Sequence, residues 1–141
     1  MKHIAIVTPV FNERENIEEL LLAVESIFSN IENYEYTHLF IDNSSTDGSE
    51  ELLIQLTDKF DNVKAIINAR NFGYVRSSFY GLINLDADAT ILLACDFQEP
   101  PELIHQFIEQ WEKGHLVVGG IKVESEESKI KRFLRTIYYK L

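Results

Sequence analysis

The chain predicts an α/β fold, a mostly parallel sheet with helices on both faces. Two observations lead there. Short hydrophobic runs without polar interruption recur along the 141 residues, and between them apolar positions recur at helical spacing. Strands that are apolar on both faces, alternating with amphipathic helices, specify a parallel sheet covered on both sides.

The first run, residues 4–7, reads as a strand that Thr8-Pro9 brings to an end. Asn12 and Glu15 then stand three apart as a capping pair, and Ile17, Leu20, Leu21, Val24, Ile27 and Phe28 mark the first helix. Residues 39–41 form the next strand, followed by a polar loop over 42–49 and a helix carrying Leu52, Leu53, Leu56 and Phe60. Residues 63–67 are a third strand. A helix from about Val75 to Leu85 presents Val75, Phe79, Leu82 and Ile83, and residues 91–95 are a fourth strand. Pro100-Pro101 opens a further helix with Leu103, Ile104, Phe107, Ile108 and Trp111 on one face. Residues 116–121 are expected to be a fifth strand.

One domain, 1–141, accounts for this length. The net charge of −10 argues against nucleic acid as a partner, because such binding needs clustered Lys and Arg to replace phosphate counterions. Charge is uneven along the chain. Residues 1–120 hold 7 basic and 20 acidic side chains, whereas residues 121–141 hold 6 basic and 3 acidic. With the apolar residues Ile130, Phe133, Leu134, Ile137, Tyr138 and Leu141, this tail reads as a basic amphipathic helix. We expect it to pack on its own domain, to dock on an acceptor-side region, or to lie on an anionic membrane surface. A single cysteine, Cys95, excludes an internal disulfide, and the start of the chain has no signal-peptide pattern, so a reducing cytoplasmic location is expected, with the inner membrane face as a possible docking place.

In parallel α/β sheets ligands bind outside the carboxyl ends of the strands. That rule selects residues 8–13, 42–47, 68–73 and 96–99, which are rich in carboxylates, amides and hydroxyls. Asp96 closes a hydrophobic run, with Gln98 and Glu99 just beyond. It either caps the turn before the proline-started helix or holds a hard cation, Mg²⁺ or Mn²⁺, that bridges to a diphosphate. Asp42 ends its strand in the same way and is placed to accept hydrogen bonds from a base or ribose. Asp47 with Glu50 is an ordinary helix-capping pair. The single glycine of Asn68-Ala-Arg-Asn-Phe-Gly73 matches neither a dinucleotide fingerprint nor a P-loop, and Arg70 and Arg76 are either solvated or phosphate-neutralising. The four histidines lack metal-ligand spacing and are read as structural.

Taken together, Ile6-Val-Thr-Pro-Val-Phe-Asn-Glu13, Ile41-Asp-Asn-Ser-Ser-Thr-Asp-Gly-Ser49, Arg70-Asn-Phe-Gly73 with Gly81-Leu82, and Asp96-Phe-Gln-Glu-Pro-Pro-Glu102 resemble the GT-A glycosyltransferases of family 2. The branch most resembled contains dolichyl-phosphate mannose synthase and bacterial polyprenyl-phosphate sugar transferases. The resemblance implies a Rossmann-like GT-A nucleotide-binding fold, corresponding to the first part of a complete family member. It implies that Pro9, Phe11 and Glu13 line a nucleoside pocket and that Asp42 contacts the base. It further implies that Asp96, the catalytic residue, holds a divalent metal with Gln98 at the donor diphosphate, and that Arg70 and Gly73 join the nucleotide-binding residues. The family's Asp-x-Asp here begins with Ala94, and the second position of its Asp-Asp pair is Asn43. The implied activity is inverting transfer of a sugar from a nucleoside-diphosphate sugar to a polyprenyl phosphate or glycan. A sugar-nucleotide-binding module without turnover and a receiver-type signalling domain are the competing readings, the latter weakened by Thr8-Pro9-Val10 where its acidic cluster would stand.

Overall fold

The computed structural model describes residues 1–121. The expected basic helix over 122–141 lies outside the described residues. Among the described residues four strands alternate with four helices: β1 (Lys2–Val10), α1 (Arg14–Phe28), β2 (Tyr34–Asp42), α2 (Ser49–Lys59), β3 (Val63–Ile67), α3 (Tyr74–Asn84), β4 (Ala89–Leu92) and α4 (Leu103–Glu112). The strands form a single parallel sheet in the order β3-β2-β1-β4.

Side-chain alternation sorts the core into two layers. Ile4, Ile6, Val10 and Phe40 face α1, α2 and α4, meeting Leu20, Leu21, Leu53 and Ile104 in one cluster. Val7, Leu39 and Ile41 face the other way, toward α3. His38 is buried among the first set, stacked on Phe40 with its Nε2 2.9 Å from Thr8 Oγ1. Burial pushes its imidazole down to about 3, so it sits neutral in the core, with Nδ1 buried and without a partner among the described residues.

Several expectations need correction. Proline does not end β1, which runs on to Val10. The Val10 carbonyl accepts from Asn43 N–H on the β2 side, and the Val7 carbonyl accepts from Leu93 N–H on the β4 side. The Pro9 nitrogen therefore faces the β4 side beyond the end of β4, where no ladder bond is lost. The fourth strand begins and ends earlier than expected, at Ala89 and Leu92, so the chain is already turning when it reaches Asp96. Residues 116–121 form no strand: Leu116 and Val117 are 93% and 91% exposed. A strand exists only by pairing, and among the described residues nothing pairs with the outer edge of β4. An open groove lined by Ala89, Ile91, Phe107 and Val118 separates that edge from the 116–121 segment.

The third helix is also turned around. The apolar residues Val75, Phe79 and Ile83, expected in the core, are exposed, and α3 instead seats Ser77, Ser78 and Gly81 on the sheet. Space decides this. A Cβ at Gly81 would stand 2.5 Å from Val7 Cγ1 and 2.7 Å from Ile41 Cδ1, closer than carbon atoms pack.

Gly81→Ala therefore destabilises the fold by about 1–3 kcal/mol through overpacking, less about 1 kcal/mol recovered from helix propensity. A lower urea midpoint with unchanged slope is the expected result. An equal or higher midpoint would show that α3 can lift off the sheet freely.

Candidate functional site

The loops that leave the carboxyl ends of the four strands meet along one edge of the sheet, and three polar clusters join them. The first ties the β1 loop to the β2 loop. Asn12, in the left-handed region at φ 56°, donates its N–H to Ser45 Oγ at 2.9 Å and accepts from Thr46 N–H at 2.8 Å through its side chain. It thus caps no helix: Glu13 occupies the N-cap position of α1 without a side-chain cap bond. Asp47 does the capping instead, for two helices at once. One carboxylate oxygen accepts from Arg14 N–H at 2.9 Å, and the other accepts from Ser49 N–H at 3.1 Å and Ser49 Oγ at 2.6 Å. Partial burial would raise the Asp47 pKa, but these hydrogen bonds outweigh it and hold the carboxyl below its ordinary value.

Asp42 lies beneath this arch, fully buried, with one oxygen accepting Ser45 N–H at 3.0 Å and the other, Oδ1, without any partner. The second cluster lies on the opposite side of β2. Ser77 Oγ donates to Asn43 Oδ1 at 2.6 Å, and Asn68 Nδ2 donates to the same atom at 3.1 Å. An Asn at 43 accepts these two bonds as a neutral acceptor, so the position is satisfied without a charge. Neither this network nor the Asn12–Ser45–Thr46 contacts were foreseen. The only sequence signal for them is the run of short hydrogen-bonding side chains from Asn43 to Asp47.

The third cluster gathers acids between β1, β4 and α3. Burial, then the charges of Glu13 and Asp96, raise the Cys95 thiol to about 12, so this cysteine is protonated and flanked by both carboxylates. Tyr74, the first residue of α3, is raised by burial and by Glu99 and Asp96, which places the start of α3 against the same acids. Asp96 itself is exposed rather than a poorly hydrated strand end, because β4 stops at Leu92. Its Oδ1 accepts Gln98 N–H at 3.1 Å, and Phe97 between them takes φ 56°. Residues 94 and 96 consequently do not share a strand face.

The remaining expected residues fall around these clusters. Pro9 is buried in the last turn of the β1 ladder, level with Ile41, while Phe11 is exposed at the mouth of the β1 loop. Glu13 is half-buried and accepts Asn16 Nδ2 at 2.6 Å. Arg70 stacks its guanidinium on Phe72, 4.7 Å from the ring centre. Gly73, at φ 85°, precedes α3 and donates its N–H to Asn71 Oδ1. Each of the four loops carries at least one residue with positive φ: Asn12, Ser44 with Gly48, Gly73 and Phe97.

Against known proteins, this sequence matches the Glycosyl transferase family 2 pattern over residues 5–140. The chain belongs to glycosyl transferase family 2. It is 31% identical over 134 residues to an undecaprenyl-phosphate 4-deoxy-4-formamido-L-arabinose transferase of Pseudomonas savastanoi, covering 94% of this chain and 40% of that protein. It is 33% identical over 139 residues to a prophage bactoprenol glucosyl transferase homolog of Escherichia coli, covering 98% of this chain and 45% of the relative. This family 2 chain therefore spans less than half the length of these relatives. Among solved structures, S. aureus TarS 1-349 in complex with UDP-GlcNAc superposes with a TM-score of 0.63 at 15% identity, over 91% of this chain and 37% of that one. A mannosyltransferase from Pyrobaculum calidifontis, in complex with GDP-Man and Mn²⁺, gives 0.56 at 16% identity, over 66% and 27%. These likenesses establish the GT-A fold.

Because the folded-state carboxyl of Asp47 is depressed, its stabilisation is fully present above the ordinary carboxylate range. It fades as pH falls through the lowered value. Asp47→Asn, which keeps one acceptor oxygen but loses the charge and the second acceptor, should lower the unfolding free energy by about 0.3–1 kcal/mol at pH 7, the scale of a charge at a helix N-terminus, and by less as pH falls through the lowered value. A pH series of urea midpoints on both proteins measures this. Parallel curves for the two would show that the carboxylate charge contributes nothing.

Proposed function

We propose that this chain holds a nucleoside-diphosphate sugar at the carboxyl ends of β1, β2 and β4. In this reading it is the donor-binding part of an inverting glycosyltransferase whose acceptor is a polyprenyl phosphate or a glycan. The observation that carries the proposal is the unpartnered Oδ1 of Asp42. A buried carboxylate oxygen without a donor costs free energy, and a nucleobase or ribose N–H or O–H supplies the missing bond. In this reading Phe11 and Glu13 flank the nucleoside from the β1 loop, with Pro9 buried at the end of β1. Ligand access to Asp42 requires the 43–47 loop, bonded to it through Ser45 N–H, to swing outward. Relatives named for undecaprenyl-phosphate and bactoprenol substrates support the acceptor class, and structural neighbours in complex with UDP-GlcNAc and GDP-Man support the donor class.

The acid cluster bears on the metal. Glu13, Asp96 and Glu99 give this part of the crevice negative charge, which repels a diphosphate unless a cation stands between. Among the described residues no three His, Cys, Asp or Glu side chains gather into a closed metal site. The donor set is one exposed carboxylate, Asp96, with the neutral amide of Gln98. That fits Mg²⁺ or Mn²⁺, which keep several waters and take phosphate oxygens as ligands. Such an ion, when bound, supplies charge neutralisation at the departing diphosphate.

The chain's own residues then do three things. Asp42 fixes the nucleoside, Arg70 beside the crevice adds positive charge toward the diphosphate, and the N-terminal turn of α3 after Gly73 offers free N–H groups to it. The acceptor oxygen attacks the anomeric carbon from the side opposite the diphosphate. The new C–O bond forms as the bond to the diphosphate oxygen breaks, which inverts that carbon. A phosphate acceptor is already ionised and needs no general base.

Asp42→Ala should weaken nucleoside diphosphate binding about tenfold or more, the worth of one charge-assisted hydrogen bond of about 1.5–3 kcal/mol. Unchanged affinity by calorimetry in a variant with a native circular dichroism spectrum would remove Asp42 from the site. Asp96→Asn should abolish the gain in nucleotide affinity that Mn²⁺ brings to the parent. If the variant binds Mn²⁺ and nucleotide as the parent does, Asp96 serves only to hold the turn through Gln98.

A further inference from the structure

Beside the outer edge of β4 apolar surface is left open. The groove there measures about 1350 Å³ and is lined by Ile91 of β4, Phe107 and Trp111 of α4, and Leu116, Val118 and Ile121 beyond α4. It is larger than the roughly 300–1,000 Å³ typical of small-molecule pockets. Leu116 and Ile121 remain 93% and 87% exposed. Apolar surface of this extent marks a place that meets something other than water, and the strand edge inside it adds backbone groups that seek partners.

Charge and position identify the occupant. Among the described residues the groove lining carries Asp88, Glu99 and Glu109 and neither Lys nor Arg. Lys113 answers Glu109 at 2.6 Å, whereas no described cation pairs with Asp88 or Glu99. The chain leaves the groove at Ile121, and residues 122–141 follow directly. The acids of that segment, Glu124, Glu126 and Glu127, all come early. From Lys129 to Leu141 there are five basic side chains and no acidic one, interleaved with Ile130, Phe133, Leu134, Ile137, Tyr138 and Leu141 at helical spacing. An apolar stripe with cationic flanks complements an apolar groove whose unpaired charges are acidic. Reach is no obstacle. Residues 122–129 extend up to about 26 Å, twice the length of the four-residue β4 at roughly 3.3 Å per residue.

We propose that residues 130–141 fold back on their own domain and fill this groove, the apolar stripe against Ile91, Phe107 and Trp111 and the cations toward Asp88 and Glu99. Position gives the contact its use. The groove extends along β4 to Gln98 and Glu99, just beyond Asp96, so the docked segment borders the acid side of the crevice. Docking needs no nucleotide, so its failure and that of the transferase reading are separate results.

Trp111, the single tryptophan of the chain, lines the groove and reports its occupancy. Its fluorescence is measured in the full chain and in two double variants, Phe133→Ser with Ile137→Ser and Lys131→Glu with Arg135→Glu. Loss of two apolar side chains should shift docking about tenfold or more toward the open groove, read as emission at longer wavelength and stronger quenching by acrylamide. Charge reversal should shift both in the same direction, and added salt should do so in the parent. All four positions lie beyond residue 121, so a cooperative thermal transition is expected in both variants. Emission and quenching identical in the parent and both variants would overturn the proposal. So would protection of Trp111 that disappears on dilution of the parent, because a second copy would then cover the groove.

Discussion

The parallel pairing of β1 with β2, in the register that sets Val10 beside Asp42, is the constraint on which the site depends. Side chains alternate along a strand, so a slip of one residue would exchange the faces of β2. Phe40 and His38 would leave the layer under α1 and α2, and Asn43 would turn away from Ser77. The same register starts the β1 and β2 loops at one level. Only then can Asn12 reach Ser45 and Thr46, and Asp47 reach Arg14 N–H. The hydrophobic effect enforces the choice, since both faces of these strands are buried and either slip would bring polar groups into the core without partners.

Much of the fold was legible in the sequence because strands buried on both faces and helices with one apolar side leave different periodicities. The existence and order of eight elements and the parallel sheet follow from that contrast. The failures have physical causes. For α3 the apolar periodicity predicts the core-facing side, but the close approach of Gly81 to Val7 and Ile41 outranks hydrophobicity in deciding which side faces the sheet. Residues 116–121 have the composition of a strand and lack a pairing partner among the described residues. Pairing is a property of two segments, and no single window of sequence contains it. Asp42 was picked out by its position at a strand end. Its unpaired oxygen became visible only with the surrounding donors in place.

The capping residues show how local rules misassign neighbours. Asn12 with Glu15 has the spacing of a capping pair, yet Asn12 takes a left-handed conformation and spends its side chain on the adjacent loop. Asp47, expected to cap α2 alone, also satisfies the first turn of α1. One carboxylate thereby fixes two helix N-termini relative to each other, and with them the rim above Asp42. Electrostatics divides the crevice in a similar way. The Asn43 side is satisfied by neutral hydrogen bonds, whereas the Asp96 side concentrates negative charge.

The positive-φ residues at the four strand ends have a consequence for how this protein can change. A left-handed backbone costs a residue with a Cβ roughly 1–2 kcal/mol, least for asparagine, so Ser44 and Phe97 are held in place by their surroundings. At Phe97 glycine would relieve the strain but remove a ring packed against the core, a larger loss. At Ser44 glycine would relieve the strain at little cost in packing and enlarge the range of shapes open to the loop. Selection that rewards melting temperature alone is therefore drawn toward glycine at Ser44, and definition of the loop over Asp42 is what it gives up.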